Sequence, residues 1–244
     1  MNILEPIWVS VFTKDTYSCI KGRGIHGAMR NVKRAIKDRE NARYCLKIDI
    51  RKFYPSIDHD VLKTIIRRKI KCKDTLALLD TIIDSTDGVP IGNYLSQYFA
   101  NLMLAYFDHW IKEEKRVRYY FRYADDMVFL ASTKEELHIL LADIKKYLAA
   151  LKLTLKGNEQ IFPIAENRAD KHGRGLDFVG FVFYHNQTLM RKSIKQNFCR
   201  MAARQARAAQ MRLVSGENEE PVWAPVPPLE VLRSLLEIFD LCAS

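Results

Sequence analysis

Two adjacent acids, Asp125 and Asp126, stand between two apolar, β-prone runs, Tyr119-Tyr120-Phe121-Arg122-Tyr123 and Met127-Val128-Phe129-Leu130. Nothing else in the chain restricts its fold so tightly. The pattern predicts a tight β-hairpin carrying acids at its tip. On a straight strand neighbouring side chains point to opposite faces, whereas at a turn both can converge on one site. Paired anions near a third carboxylate repel unless a hard divalent cation neutralises them, which makes Mg²⁺ the natural occupant. The same residues also read as two turn aspartates that only close a hairpin.

A third carboxylate lies upstream. Tyr44 to Ile50 predicts a short strand, and Asp49 interrupts its apolar end. A carboxylate there is costly if buried alone, so a ligand or a basic partner is implied. Phe53-Tyr54-Pro55 then turns the chain, and Asp58 precedes the helical pattern Val61, Leu62, Ile65, Ile66 as an N-cap. Helical spacing continues over His26–Arg39, Leu76–Ile83, Tyr94–Lys112 and Lys134–Leu151. The third of these opens behind the loop Gly88-Val89-Pro90-Ile91-Gly92-Asn93, where glycines let backbone approach a ligand. Short strands are expected at Leu153–Leu155, Ile161–Ile164 and Thr188–Met190, and one strand over Asp177–Phe183. Lys192–Val214 reads as a basic helix with Arg200, Arg204 and Arg207 on one face. A joint, Pro221–Pro228, separates it from a last helix, Leu229–Leu241.

Charge points to the partner. Lys plus Arg outnumber Asp plus Glu by 39 to 29, a net charge of +10, which fits a polyanion such as nucleic acid. The loop Lys21-Gly22-Arg23-Gly24 and the run Arg67, Arg68, Lys69, Lys71, Lys73 each read as phosphate contacts or as solvated basic surface. The five cysteines form no CxxC pair, which argues against a disulfide framework or zinc site and for a reduced, cytoplasmic setting. No apolar run approaches the ~18 residues of a membrane span, and no signal pattern opens the chain.

Four segments in order, Lys47-Ile48-Asp49-Ile50-Arg51-Lys52-Phe53-Tyr54, Val89-Pro90-Ile91-Gly92-Asn93-Tyr94-Leu95-Ser96-Gln97, Tyr123-Ala124-Asp125-Asp126 and Phe178-Val179-Gly180-Phe181, resemble the successive motifs of reverse transcriptases. The likeness covers roughly residues 15 to 195. The Ile-Gly-Asn and Ser-Gln version, with the basic glycine loop, is most similar to bacterial diversity-generating retroelement enzymes. The resemblance implies an α+β fold: a right-hand palm of antiparallel strands with packed helices, partial fingers and a short helical thumb. It divides the chain into fingers (1–42), palm (43–183) and primer-grip end with thumb (184–244).

It also implies roles. Asp49, Asp125 and Asp126 become the catalytic acids, with the Ile50 carbonyl completing the cage for two Mg²⁺ ions. Tyr54 falls at the steric gate against a ribose 2′-hydroxyl, or else packs in the palm. Ile91 and Gly92 fall beside the incoming nucleotide, where an aliphatic residue in place of glutamine implies relaxed base selection. Lys156 becomes a proton donor to pyrophosphate, or a plain turn lysine. Lys21, Arg23, Ser96, Gln97, Phe178, Gly180, Arg200, Arg204 and Arg207 line the primer and template. The partners are then an RNA template, a DNA primer, deoxynucleotides and an accessory protein, with no membrane. The family's fingers segment would precede Ile3, so a fragment, an alternative start or one half of a split enzyme is implied. A polymerase-like nucleic-acid-binding or defence module, inactive or dependent on a partner, is the competing expectation. An RNA-templated RNA polymerase shares the acids, but the aromatic ring of Tyr54 argues against it.

Overall fold

The computed structural model describes residues 3–90 and 92–214. Helix α1 (Leu4–Val9) seats Trp8 against Tyr98 and Phe99, with ring centroids 5.8 Å apart in each case. Helix α2 (Gly24–Ile36) is followed by strand β1 (Tyr44–Asp49), then α3 (His59–Arg67) and α4 (Lys73–Ile83). The long α5 (Tyr94–His109) leads to the hairpin of β2 (Tyr119–Tyr123) and β3 (Asp126–Ala131). Helix α6 (Lys134–Ala150) and β4 (Gln160–Pro163) complete this part. A second unit holds β5 (Leu176–Phe178), β6 (Phe181–Phe183) and β7 (Thr188–Met190), before α7 (Lys192–Val214).

The main sheet has the order β2-β3-β1-β4, every pair antiparallel. Alternation along β1 sorts its residues by face. Leu46, Ile48 and Ile50 join Met127 and Phe129 in a core built with side chains of α3, α5 and α6. Cys45, on the other face, joins Val128 and Leu130 in a second core covered by α2 and by Phe178 and Phe183. Both faces are therefore packed near the strand centres. The acids lie at the end of β1 and the start of β3, where that packing stops.

Local signals explain the helix starts. Asp58 caps α3, its Oδ1 accepting the Val61 N–H at 3.1 Å, as expected. Asn93 caps α5 in the same way through the Leu95 N–H at 3.0 Å.

Two strand expectations need correction. Leu153–Leu155 forms no strand. The Leu153 N–H closes the end of α6 by bonding Leu148 O at 2.9 Å, and only Leu155 bridges to Ile50. Asp177–Phe183 is two strands, not one. Val179 (φ 45°) and Gly180 (φ 89°) both adopt left-handed backbone, and Phe178 pairs with Phe181 across them. That is the positive-φ pair a two-residue primed turn demands. The near-continuous apolar run Phe178–Phe183 passes straight through the turn and conceals it. Ile91, the Pro221–Pro228 joint and the expected helix Leu229–Leu241 lie outside the described residues.

Candidate active site

The acids meet through sheet register. Asp49 at the end of β1 stands opposite Asp126 at the start of β3, so both side chains share one face. Ala124, with φ 54°, makes the sharp turn that brings Asp125 over the same end. Arg122 Nη1 donates to the Ala124 carbonyl at 3.1 Å and fixes that turn from beneath.

Two lysines face the acids. Lys156 Nζ donates to Asp49 Oδ2 at 3.1 Å, and its main-chain N–H donates to the Asp49 carbonyl at 2.9 Å. Lys47 Nζ lies 3.2 Å from Asp126 Oδ2. Burial pushes the Asp126 carboxyl up to about 6; Lys47 opposes this, while Asp49 and Asp125 add to it. Burial also raises Asp125, and the charge of Asp49 raises it further. Asp126 Oδ1 is buried with no hydrogen-bond partner.

Among the described residues, no three His, Cys, Asp or Glu side chains are placed to hold a metal ion by themselves. Mg²⁺ is commonly bound through one or two carboxylates together with substrate phosphates, not by an all-protein cage. Asp49 and Asp125 match that requirement: hard oxygen donors, mutually repelling, half-buried and at the open end of the sheet. Asp49 and Asp126 each have a lysine beside them, Lys156 at 3.1 Å and Lys47 at 3.2 Å, while Asp126 is the more deeply set of the pair on the turn.

The other predicted residues divide into two groups. Tyr54 is half-buried and near enough to feel the charge of Asp125, though burial is the larger cause of its raised phenol pKa. Its carbonyl accepts the Val89 N–H at 3.1 Å. Beneath it lies Gly88 (φ 68°), where an added Cβ would meet Tyr54 O at 2.5 Å. The Tyr54-Pro55 turn thus rests on a position that only glycine fits. Gly92 (φ 92°) is exposed with open space around it, and Gln97 is exposed on α5. Lys21, Arg200 and Arg204 are exposed, and Arg207 follows on the same helix with its side chain outside the described residues.

The second group is engaged within the protein. Ser96 is buried, and its hydroxyl donates to the Pro90 carbonyl. Arg23 Nη1 donates to the carbonyls of Thr13 and Thr16, so it ties its own loop. The Phe178 ring is fully buried in the core beneath its hairpin, while Gly180 forms the turn itself. Ile50 buries its side chain on the opposite face and leaves its main chain beside Asp49.

Sequence reasoning missed a buried ion pair behind the turn. Arg122 and Asp108, both fully buried, meet at 2.6 Å. Asp108 also accepts the hydroxyls of Tyr120 at 2.7 Å and Thr16 at 2.8 Å. Arg122 Nη1 donates further to Asn101 Oδ1 at 3.1 Å. The available signal was an arginine in an apolar strand and an aspartate in an apolar helix, each too costly to bury without the other.

The family described as Reverse transcriptase (RNA-dependent DNA polymerase) matches residues 1–158. Protein YkfC of Escherichia coli (strain K12) is 23% identical, over 78% of this chain and 59% of its own length. Apo telomerase from Candida tropicalis, truncated of its C-terminal domain, superposes with a TM-score of 0.61 at 14% identity, over 78% of this chain and 44% of that one. Telomerase from Candida albicans, in complex with a fragment of telomeric RNA, gives 0.56 at 11% identity, over 77% and 39%. The architecture is therefore the right-hand polymerase fold. The chain spans 59% of the curated relative's length and less than half of these telomerases.

Proposed function

Because the chain belongs to the reverse transcriptase family, we propose that it is an RNA-directed DNA polymerase that extends a primer 3′-hydroxyl with deoxynucleotides. The single observation carrying this reading is the register that sets Asp49 against Asp126, with Asp125 on the turn above them. Asp49, Asp125 and the Ile50 carbonyl would hold two Mg²⁺ ions. When bound, these supply activation of the primer hydroxyl and charge neutralisation on the triphosphate. The chain's own residues do the rest. Asp49 and Asp125 hold the reacting end at the edge of the sheet, while Lys47 keeps Asp126 out of direct competition for the same charge. Lys156, 3.1 Å from Asp49, stands where an ammonium can donate a proton toward a departing pyrophosphate.

The Tyr54 ring, carried on the turn above Gly88, provides the barrier to a 2′-hydroxyl. The exposed Arg200 and Arg204 on α7 contact product phosphates, which predicts salt-sensitive binding. Residues 1–42, 43–183 and 184–244 act as partial fingers, palm and primer grip with thumb. The Gly92-Asn93 and Ser96-Gln97 pattern and the basic glycine loop support a bacterial retroelement setting of the diversity-generating kind.

The test is primer extension. Purified chain receives an RNA template, an annealed DNA primer, Mg²⁺ and deoxynucleotides, beside Asp125→Ala. Extension by the wild type that disappears in the variant is the expected result. Salt-sensitive duplex binding without extension would instead support a partner-dependent module.

A further inference from the structure

Lys47 links the main sheet to the β5-β6-β7 sheet, away from the backbone bridge Ile164–Arg174 that joins their edges. Its ammonium lies 3.2 Å from Asp126 Oδ2 on β3 and donates to the Asp177 carbonyl on β5 at 2.5 Å. Asp177 immediately precedes Phe178 and the turn Val179-Gly180. From its other side the hairpin is braced by Arg191, whose guanidinium pairs with the Asp177 carboxylate and whose main-chain N–H donates to the Gly180 carbonyl at 2.9 Å.

The turn so held is a strained one. Val179 has φ 45°, a region that β-branched residues rarely enter. Such backbone persists only where its surroundings determine it. An added Cβ at Gly180 would lie 2.9 Å from Ile194 Cδ1, so the turn also sits closely on α7. Lys47 adds a polar tie between this assembly and the strand pair bearing the acids, beside the apolar packing of Phe178 and Phe183 on Val128 and Leu130.

We propose that Lys47 is a positioning residue, clasping Asp126 to the Asp177 carbonyl so that the Val179-Gly180 turn keeps a fixed distance from the acids. For a polymerase, that distance sets where a primer end held by the hairpin meets Asp49 and Asp125. The catalytic half of the inference therefore rests on the activity proposed above, while the clasp itself does not. The three donors of the ammonium let one side chain hold the carboxylate on the first sheet and the carbonyl on the second.

The test uses the full chain with Lys47→Met, which keeps the stem, and Lys47→Arg, which keeps the charge and a donor. Lys47→Gln serves if the methionine variant fails to fold. Hydrogen exchange at the amides of residues 176–183 should accelerate about tenfold or more in Lys47→Met and return toward wild type in Lys47→Arg, because local opening sets these rates. In primer extension, kcat should fall about 10- to 100-fold while KM for the deoxynucleotide moves less than about threefold, with the arginine variant recovering most of the loss. Unaltered hairpin exchange in Lys47→Met, or a loss confined to KM, would overturn the clasp. A wild-type chain that extends no primer would sink the polymerase reading alone, and exchange would still decide the clasp.

Discussion

Two ion pairs on opposite faces of the main sheet, Arg122–Asp108 and Lys47–Asp126, are built to different standards. Behind the turn, Arg122 and Asp108 are fully buried and meet at 2.6 Å; Tyr120 and Thr16 donate to Asp108, and Arg122 donates to Asn101. In front, Lys47 and Asp126 are 3.2 Å apart, their side chains are 24% and 30% exposed, and one carboxylate oxygen is buried without a partner. A buried pair contributes to a fixed structure only when its remaining donors and acceptors are also met. The rear pair satisfies this and secures the turn through the Ala124 carbonyl. The front group leaves acids raised in pKa and short of hydrogen bonds, a state that suits binding better than stability.

The contrast can be broken most severely at the rear. Asp108→Ala leaves Arg122 charged and buried alone, and should lower stability by about 3–5 kcal/mol. Urea unfolding measures this, and an unchanged midpoint would remove the contrast.

The front pair should respond to pH with a smaller effect. Asp126 titrates near 6 in the fold against an ordinary 3.8, so the folded state holds its proton more tightly than the unfolded chain does. Its stabilising contribution is full below the ordinary value and is lost as pH rises through about 6. In chelator, wild type should therefore lose about 2 kcal/mol relative to Asp126→Asn between pH 4 and 7, after allowance for partial solvent screening. A difference that stays flat with pH would contradict the assignment. Smallest is Tyr120→Phe, which removes one hydroxyl from Asp108 and should cost about 1 kcal/mol by the same unfolding measurement.

The two faces were also unequally legible in the sequence. Asp49 and the Asp125-Asp126 turn stood out because an acid at the end of an apolar strand run is costly unless a cation meets it. The Asp58 cap and the helix spacings are local patterns, and they survived for that reason. The rear pair depends on a helix and a strand meeting in space, which no local window contains. The carbonyl partner of Lys47 is 130 residues away, and it became visible only with the fold. Ser96, Arg23 and Phe178 show the converse: motif position drew them toward substrate, whereas hydrogen bonding and burial turn at least part of each inward. The lone glycine in Phe178-Val179-Gly180-Phe181 was the available hint of a turn, and the apolar residues on both sides masked that hint.

Most direct is a paired measurement on Asp125→Asn and Asp108→Asn, each followed by RNA-templated primer extension and by urea unfolding. The account predicts that Asp125→Asn loses extension by about 10³-fold or more while its unfolding midpoint holds or rises, since a repelling charge is removed from a site built for binding. Asp108→Asn should lower the midpoint. Extension that survives in Asp125→Asn, or lost extension explained by a collapsed midpoint, would contradict the assignment of catalysis to the open face.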